Sequence, residues 1–477
     1  MLFTQPVFLF GFLPAALATL ELSRRTSKPQ VIQLVVFGLS VSFYATWDRR
    51  SIPILLGSLF FTYLFARLIT RSKSRPTSAR RISWLLGIGV WINLVMLLVP
   101  KYWDAVAKVL DTLFGIKTFG GFSPWFPVGI SFFAFTQIAY LVDLRNEKVK
   151  PANFLTLGAF VTFFPHLIAG PILRPAQTID ELQRPRAASS ADFQAGLQLL
   201  IIGIAKKTLI ADPLGTYIQP FFVAIDSGTQ FNSSSTWILI LCYALQLYFD
   251  FSGYSQMALG LALMMGFHVP VNFDSPYRSL SIIDFWKRWH ISLSSFLRDY
   301  LYIPLGGSRR GKAIRYRNLM ITMVLGGMWH GSTLNFALWG LMHGLFLIVA
   351  HMIYRTNRHQ RTTTRGIVES FISWFGTMIA VLVAWVPFRV ASIHATVNTW
   401  ASMFMQTDGV RISGVTSIAL PLAAGIVWIA FEPRTALVAG RKTKKLAPTF
   451  HHILLGVLLV IALIAQGSLT EFLYARF

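Results

Sequence analysis

Residues 318–344 read Asn318-Leu319-Met320-Ile321-Thr322-Met323-Val324-Leu325-Gly326-Gly327-Met328-Trp329-His330-Gly331-Ser332-Thr333-Leu334-Asn335-Phe336-Ala337-Leu338-Trp339-Gly340-Leu341-Met342-His343-Gly344. From Asn318 to Tyr354 there is no Asp, Glu, Lys or Arg, and only Gly331-Ser332-Thr333 interrupts the apolar pattern. The part from Asn318 to Gly331 makes about 21 Å of helix at ~1.5 Å per residue, against a hydrocarbon core of about 30 Å. A break at His330 then falls below a membrane surface. Broken backbone is tolerated there only when it is buried in protein or lines a wet cavity. Gly327-Met328-Trp329-His330-Gly331 and Gly340-Leu341-Met342-His343-Gly344 each place a histidine in a small-xxx-small frame, which lets helices approach closely.

The whole chain supports a membrane reading. Of its 477 residues, 54% are hydrophobic and only 13% charged, yet 43 Lys+Arg against 19 Asp+Glu leave a net charge of +24. Disorder needs the opposite balance, and a soluble nucleic-acid binder is disfavoured because the basic residues lie between long apolar runs. The single cysteine, Cys242, excludes a disulfide framework and a Cys-rich metal site; no metal is expected.

Apolar runs predict spans at Val7–Leu22, Val31–Thr46, Ile52–Ile69, Ile82–Val99, Trp125–Val142, Phe154–Ile172, Phe193–Ala211, Trp237–Met265, Asn318–Gly331, Leu334–Tyr354, Ile367–Val386, Ser417–Phe431 and His452–Ala465. The expected fold is an all-α integral membrane protein, with 11–13 crossing or re-entrant helices around a central tunnel. Residues 1–477 read as one polytopic domain, the first helix being retained because no basic stretch precedes it. Connectors after the first, third and fifth spans carry Arg24, Arg25, Lys28; Arg71, Lys73, Arg75, Arg80, Arg81; and Arg145, Lys148, Lys150. Those after the second and fourth hold fewer: Arg49, Arg50, Lys101, Lys108 and Lys117. The basic bias puts the first group in the cytoplasm and the N-terminus outside.

Ionisable groups at membrane depth are functional candidates. Asp250 is the one charge between Thr236 and Gly266; it either orients a catalytic group or lines a tunnel, or else pairs with a basic residue of another helix. Ser281 to Asp299 reads as one amphipathic helix opened by a Ser281/Asp284 capping box. Arg288, Ser292, Ser295 and Asp299 fall on one face, and Trp286, His290, Leu293 and Leu297 on another. On such a face a histidine is either a satisfied core residue or a catalyst. His330, beside the break, presents an imidazole to a cavity, whereas His343 within a continuous helix suits packing. An imidazole there is suited to accept a hydroxyl proton near neutral pH. Trp329 and Asn335 are candidate donors to an oxyanion, or structural residues.

Gly306 to Lys312 begins like a phosphate-binding loop, but Ala313 lacks the hydroxyl that Mg²⁺ requires and no strand precedes it. Arg309, Arg310 and Lys312 instead form a basic loop. Such a loop either anchors topology or attracts the phosphates of coenzyme A. There is no G-x-S-x-G elbow, and His166 in Phe164-Pro165-His166 reads as structural.

Several runs closely resemble the membrane-bound O-acyltransferase family, in particular its alginate O-acetylation branch. They are Asn272-Phe273-Asp274-Ser275-Pro276-Tyr277-Arg278, Asp284-Phe285-Trp286-Lys287-Arg288-Trp289-His290-Ile291-Ser292-Leu293-Ser294 and Phe296-Leu297-Arg298-Asp299-Tyr300-Leu301-Tyr302-Ile303-Pro304-Leu305-Gly306-Gly307. Gly326-Gly327-Met328-Trp329-His330-Gly331 matches the signature histidine. Supporting matches include Leu247-Tyr248-Phe249-Asp250-Phe251-Ser252-Gly253-Tyr254 and the tail Glu471 to Phe477. The resemblance implies acyl transfer from a cytoplasmic thioester, with acetyl-CoA as donor and no tightly bound cofactor, to a hydroxyl on the outer side. It implies His330 as catalytic base, His290 as the second catalytic histidine, and a bacterial inner-membrane location. A periplasmic acetyltransferase or polysaccharide-secretion protein is the implied partner, besides membrane lipid and without nucleic acid. His166 and Gln256 depart from the residues common in relatives, which bears on which polysaccharide is modified. The alternatives are the D-alanyl transfer branch for teichoic acid and a non-catalytic transport or assembly subunit.

Overall fold

The computed structural model describes residues 1–73, 79–115, 125–356, 366–405, 408–432, 448–466 and 472. Arg75, Lys117 and, apart from Phe472, the tail from Glu471 to Phe477 lie outside the described residues. The described chain is built of helices, and its one β feature is an isolated bridge between Phe231 and Val410. Eight helical stretches are long and apolar enough to cross a membrane, and two shorter apolar helices cover Val415–Phe431 and Ile453–Ile464. The expected all-α membrane architecture is therefore observed.

Contacts divide the chain into two compact units. The first contains α1 (Leu13–Arg24), α2 (Pro29–Trp47), α3 (Ile52–Lys73), α4 (Ala79–Phe114), α5 (Ile130–Arg145), α6 (Phe154–Thr162), α7 (Phe164–Leu167), α8 (Pro175–Gln183) and nearly all of α9 (Ser190–Ala205). Polar side chains tie these helices where no water is present to satisfy them: Gln137 joins Ser58 and Thr62, and Tyr44 donates to the Val128 carbonyl at 2.9 Å. Arg24 donates to the Met265 carbonyl at 2.6 Å. The span expected over Phe154–Ile172 is broken, because Phe163 leaves helical geometry between α6 and α7. The one expected from Trp125 becomes a helix only at Ile130, after Gly129 in the left-handed region.

The second unit contains α10 (Asp212–Asp226), the first two-thirds of α11 (Ser233–Met264), α12 (Ile282–Arg288), α13 (Ile291–Leu297), α14 (Lys312–His330), α15 (Leu334–Thr356), α16 (Ile367–Arg389), α17 (Ile393–Phe404), α18 (Ala419–Phe431) and α19 (Pro448–Ile464). In α11, 78% of the most apolar window is buried, against 17% in α4. That contrast fits a bilayer, in which the helix bearing Asp250 is largely buried and the helix whose window has the highest mean hydropathy, 2.2, faces hydrocarbon.

α14 and α15 form a helical hairpin whose closeness is set by glycine. A β-carbon on Gly327 would stand 2.2 Å from the Phe336 carbonyl oxygen, and one on Gly340 would stand 2.3 Å from that of Met323. The two small-xxx-small frames are thus the places where the helices meet. At the hairpin's turn, a β-carbon on Gly331 would fall 2.0 Å from the Phe336 ring.

Candidate active site

His330 is the last residue of α14, 3% exposed, with extended backbone following at Gly331. The expected helix break therefore lies beside this imidazole. Its ring meets Trp329 at 4.7 Å, Phe388 at 5.0 Å and Trp339 at 5.3 Å between centroids. His290 also neighbours Trp329, at 6.3 Å, and packs edge-on against Phe251 at 4.7 Å. The second unit thus brings His290 and His330 to the same indole, that of Trp329.

The single helix expected over Ser281–Asp299 is not formed. Ser281 caps α12 by accepting from the Asp284 N–H at 3.1 Å, as the capping box predicts, but the helix ends at Arg288. Trp289 is extended and His290 sits at φ 43°, ψ 55°, before α13 restarts. The cause is Asn272. Its backbone carbonyl accepts from the Ile291 N–H at 2.9 Å, and its side-chain oxygen accepts from the Ser292 N–H at 3.2 Å, supplying partners for the start of α13. The predicted division into two faces fails with the break: Ser292 and His290 converge on the same amide.

That convergence fixes a tautomer. A backbone N–H only donates, so the atom facing Ser292 is the Asn272 oxygen. His290 Nδ1 lies 3.0 Å from the same oxygen and must carry the proton, leaving the lone pair on Nε2. Complete burial also lowers the His290 pKa to about 3, so the ring is neutral at physiological pH. His343 takes the opposite form. The Trp286 indole, which only donates, lies 3.3 Å from its Nδ1, so the proton sits on Nε2. His343 is fully buried among Trp286, Trp339 and Phe285, in keeping with the packing role expected.

The remaining candidates are also placed. Arg288 pairs with Asp284 at 3.0 Å and donates to the Asp274 carbonyl, bracing the loop before His290. Asn335 Nδ2 donates to the Val390 carbonyl at 2.6 Å, so this amide ties α15 to the end of α16. Arg309, Arg310 and Lys312 are exposed. Asp250 follows the pairing alternative: its Oδ1 lies 2.6 Å from Lys207 Nζ, which also binds Asp212 at 2.7 Å. His166 is buried in the first unit, with Nε2 3.3 Å from the Phe160 carbonyl.

Sequence reasoning missed the partners of these charges. Lys206 and Lys207 open a π-helical turn over Lys206–Ala211, 1% and 3% exposed. Lys206 meets Glu432 at 2.5 Å, and Glu432 also accepts from the Tyr248 hydroxyl. Two adjacent lysines inside an apolar run were the available signal, since charges at that depth pair internally.

Residues 126–391 match MBOAT, the membrane-bound O-acyltransferase family. The chain is 38% identical to the probable alginate O-acetylase AlgI of Pseudomonas putida over 86% of its own length and 81% of that protein. The chain belongs to the membrane-bound O-acyltransferase family. It is also 34% identical to the peptidoglycan O-acetyltransferase of Helicobacter pylori, over 84% of this chain and 80% of that one. Similarity to the teichoic acid D-alanyltransferase of Streptococcus thermophilus is lower, 27% over 61% of this chain and 70% of that protein. The protein is a multi-pass membrane O-acyltransferase, and the segment matched to the family contains His290, Trp329 and His330.

Proposed function

We propose that this O-acyltransferase moves acetyl from a cytoplasmic thioester donor, acetyl-CoA, across the bacterial inner membrane for O-acetylation of an exported polysaccharide such as alginate. The observation that carries the chemistry is His330, buried at the end of α14 beside the helix break and one indole away from His290. The relatives named as alginate O-acetylases carry the choice of group and polymer.

In this reading His330 takes the proton of the acceptor hydroxyl as its oxygen attacks the thioester carbonyl. The C–S bond then breaks and the thiolate leaves as a thiol with that proton, giving an ester and free coenzyme A. His290, neutral and with its lone pair on Nε2, accepts a hydrogen bond from a neighbouring hydroxyl of the acceptor and so orients the reacting one, whose single proton goes to His330. Trp329 packs against both imidazoles, while Arg288, Asp250 and Asn335 support the surrounding elements. The exposed Arg309, Arg310 and Lys312 attract the phosphates of coenzyme A from the cytoplasmic side. The chain acts as one polytopic domain with its N-terminus in the periplasm, and a periplasmic acetyltransferase completes delivery to the polymer.

The test is a deletion strain complemented with the unaltered chain or with His330→Ala, scored for acetyl ester on exopolysaccharide and on peptidoglycan. His330→Ala should remove the ester from exopolysaccharide while the protein stays in the membrane. Unchanged acetylation would sink the assignment. Ester lost from peptidoglycan alone would move the acceptor to that glycan, which the Helicobacter pylori relative favours. Purified protein that incorporates D-alanyl but not acetyl would favour the teichoic acid reading. Failure to transfer labelled acetyl with the partner present would favour a transport or assembly subunit.

A further inference from the structure

A cavity of about 480 Å³ opens in the second unit between α11, α16 and α18, and none of His290, His330 or His343 lines it. Its walls are apolar, with Leu241 and Leu245 from α11, Leu382 from α16 and Ile426 from α18. Trp374, also in the wall, has its indole N–H satisfied by the Tyr277 carbonyl at 2.8 Å. Phe375 and Ile426 line the cavity and yet are 52% and 48% exposed, so it opens sideways onto the surface that faces hydrocarbon. The volume lies within the range of sites for small molecules.

Among the described residues Arg278 is the one charged residue in this lining, and its side chain is exposed. Its Nη1 donates to the Glu432 backbone carbonyl at 3.2 Å, a partner that leaves the guanidinium charge uncompensated. The segment from Arg278 to Arg317 holds nine Lys+Arg and two Asp+Glu. By the positive-inside bias that side is cytoplasmic, where the leaflet is rich in anionic lipid. An apolar pit with one cation at its mouth has the charge distribution that an anionic amphiphile requires. A guanidinium also suits a phosphate geometrically.

We propose that this cavity holds one acyl chain of an anionic phospholipid of the cytoplasmic leaflet, with its phosphate against Arg278. The lipid bridges α11, α16 and α18 where those helices leave a gap. The test is native mass spectrometry of the purified full-length protein after exchange with phosphatidylglycerol or phosphatidylcholine of equal chain length. The expected result is one retained phosphatidylglycerol per chain, with at least about fivefold preference over phosphatidylcholine. Arg278→Gln should bring that ratio close to one. Ala430→Trp, which fills the pit from its exposed edge, should lose both lipids. Arg278→Gln alters an exposed side chain, so the test stands even if Ala430→Trp fails to fold. Equal retention of the two lipids by the unaltered protein, or an unchanged preference in Arg278→Gln, would overturn the proposal. Co-purification of a protein in place of lipid at this surface would also overturn it.

Discussion

Lys207 Nζ lies 2.6 Å from Asp250 Oδ1, with both side chains 3% exposed, and the same ammonium binds Asp212 at 2.7 Å. The pair is stable only as a unit, because removing one partner strands a buried charge. Lys207→Met should therefore cost about 3–5 kcal/mol, read as a lower thermal midpoint in detergent. Asp250→Asn should cost less, because Lys207 keeps Asp212. The opposite order would refute this structural role for Asp250. A carboxylate that acts in the reaction would instead lose activity at an unchanged midpoint.

The α14–α15 hairpin predicts a contrast among glycines. Gly327→Ala places a methyl 2.2 Å from the Phe336 carbonyl oxygen and must push the helices apart. Such overpacking typically costs about 1–3 kcal/mol. Gly376→Ala in α16 meets nothing within 4 Å and should be neutral or mildly stabilising, since alanine restricts the unfolded chain. Thermal midpoints of the two variants decide the matter. Equal behaviour would mean that the close approach is not what holds the hairpin.

The legible part of this protein was the part written in local pattern. The uncharged run from Asn318 to Tyr354, its interruption at Gly331-Ser332-Thr333 and the two glycine frames announced the hairpin, the break at His330 and the points of contact. The break at Trp289-His290 was hidden because helical spacing continues through it, while the residue that causes it, Asn272, lies 18 positions upstream. Lys206 and Glu432 are 226 positions apart, and no periodicity links two residues at that distance. Long-range polar pairing decides which buried groups are structural, and it is the kind of information that composition and period do not carry.

Asn272 offers a test of tautomer control. Asn272→Ala removes the acceptor that holds the proton on His290 Nδ1 and the partner of the Ser292 N–H. Transfer activity should fall by about 10²-fold, at the lower end of what proton-transfer catalysis contributes. Asn272→Asp keeps an acceptor at that place and should restore part of the loss. If Asp restores nothing while the midpoint of both variants matches the unaltered protein, control of the tautomer is not what Asn272 provides. The measurement is the initial rate of labelled acetyl transfer beside a thermal scan.

His290 also predicts a pH dependence of stability. Burial lowers its pKa to about 3, whereas the unfolded chain exposes an imidazole with pKa about 6.5. Between those values the unfolded state binds a proton that the folded state does not, so stability falls as pH drops from about 6.5 toward 3. Above pH 7 both states are neutral at this residue and it contributes no slope. His290→Gln removes the titrating group, so its thermal midpoint should decline less steeply than that of the unaltered protein between pH 6.5 and 4. The two curves should run parallel from pH 7 to 8. Equal slopes in the acid window would mean that the folded protein takes up the proton at His290, and that the ring is not held neutral by burial.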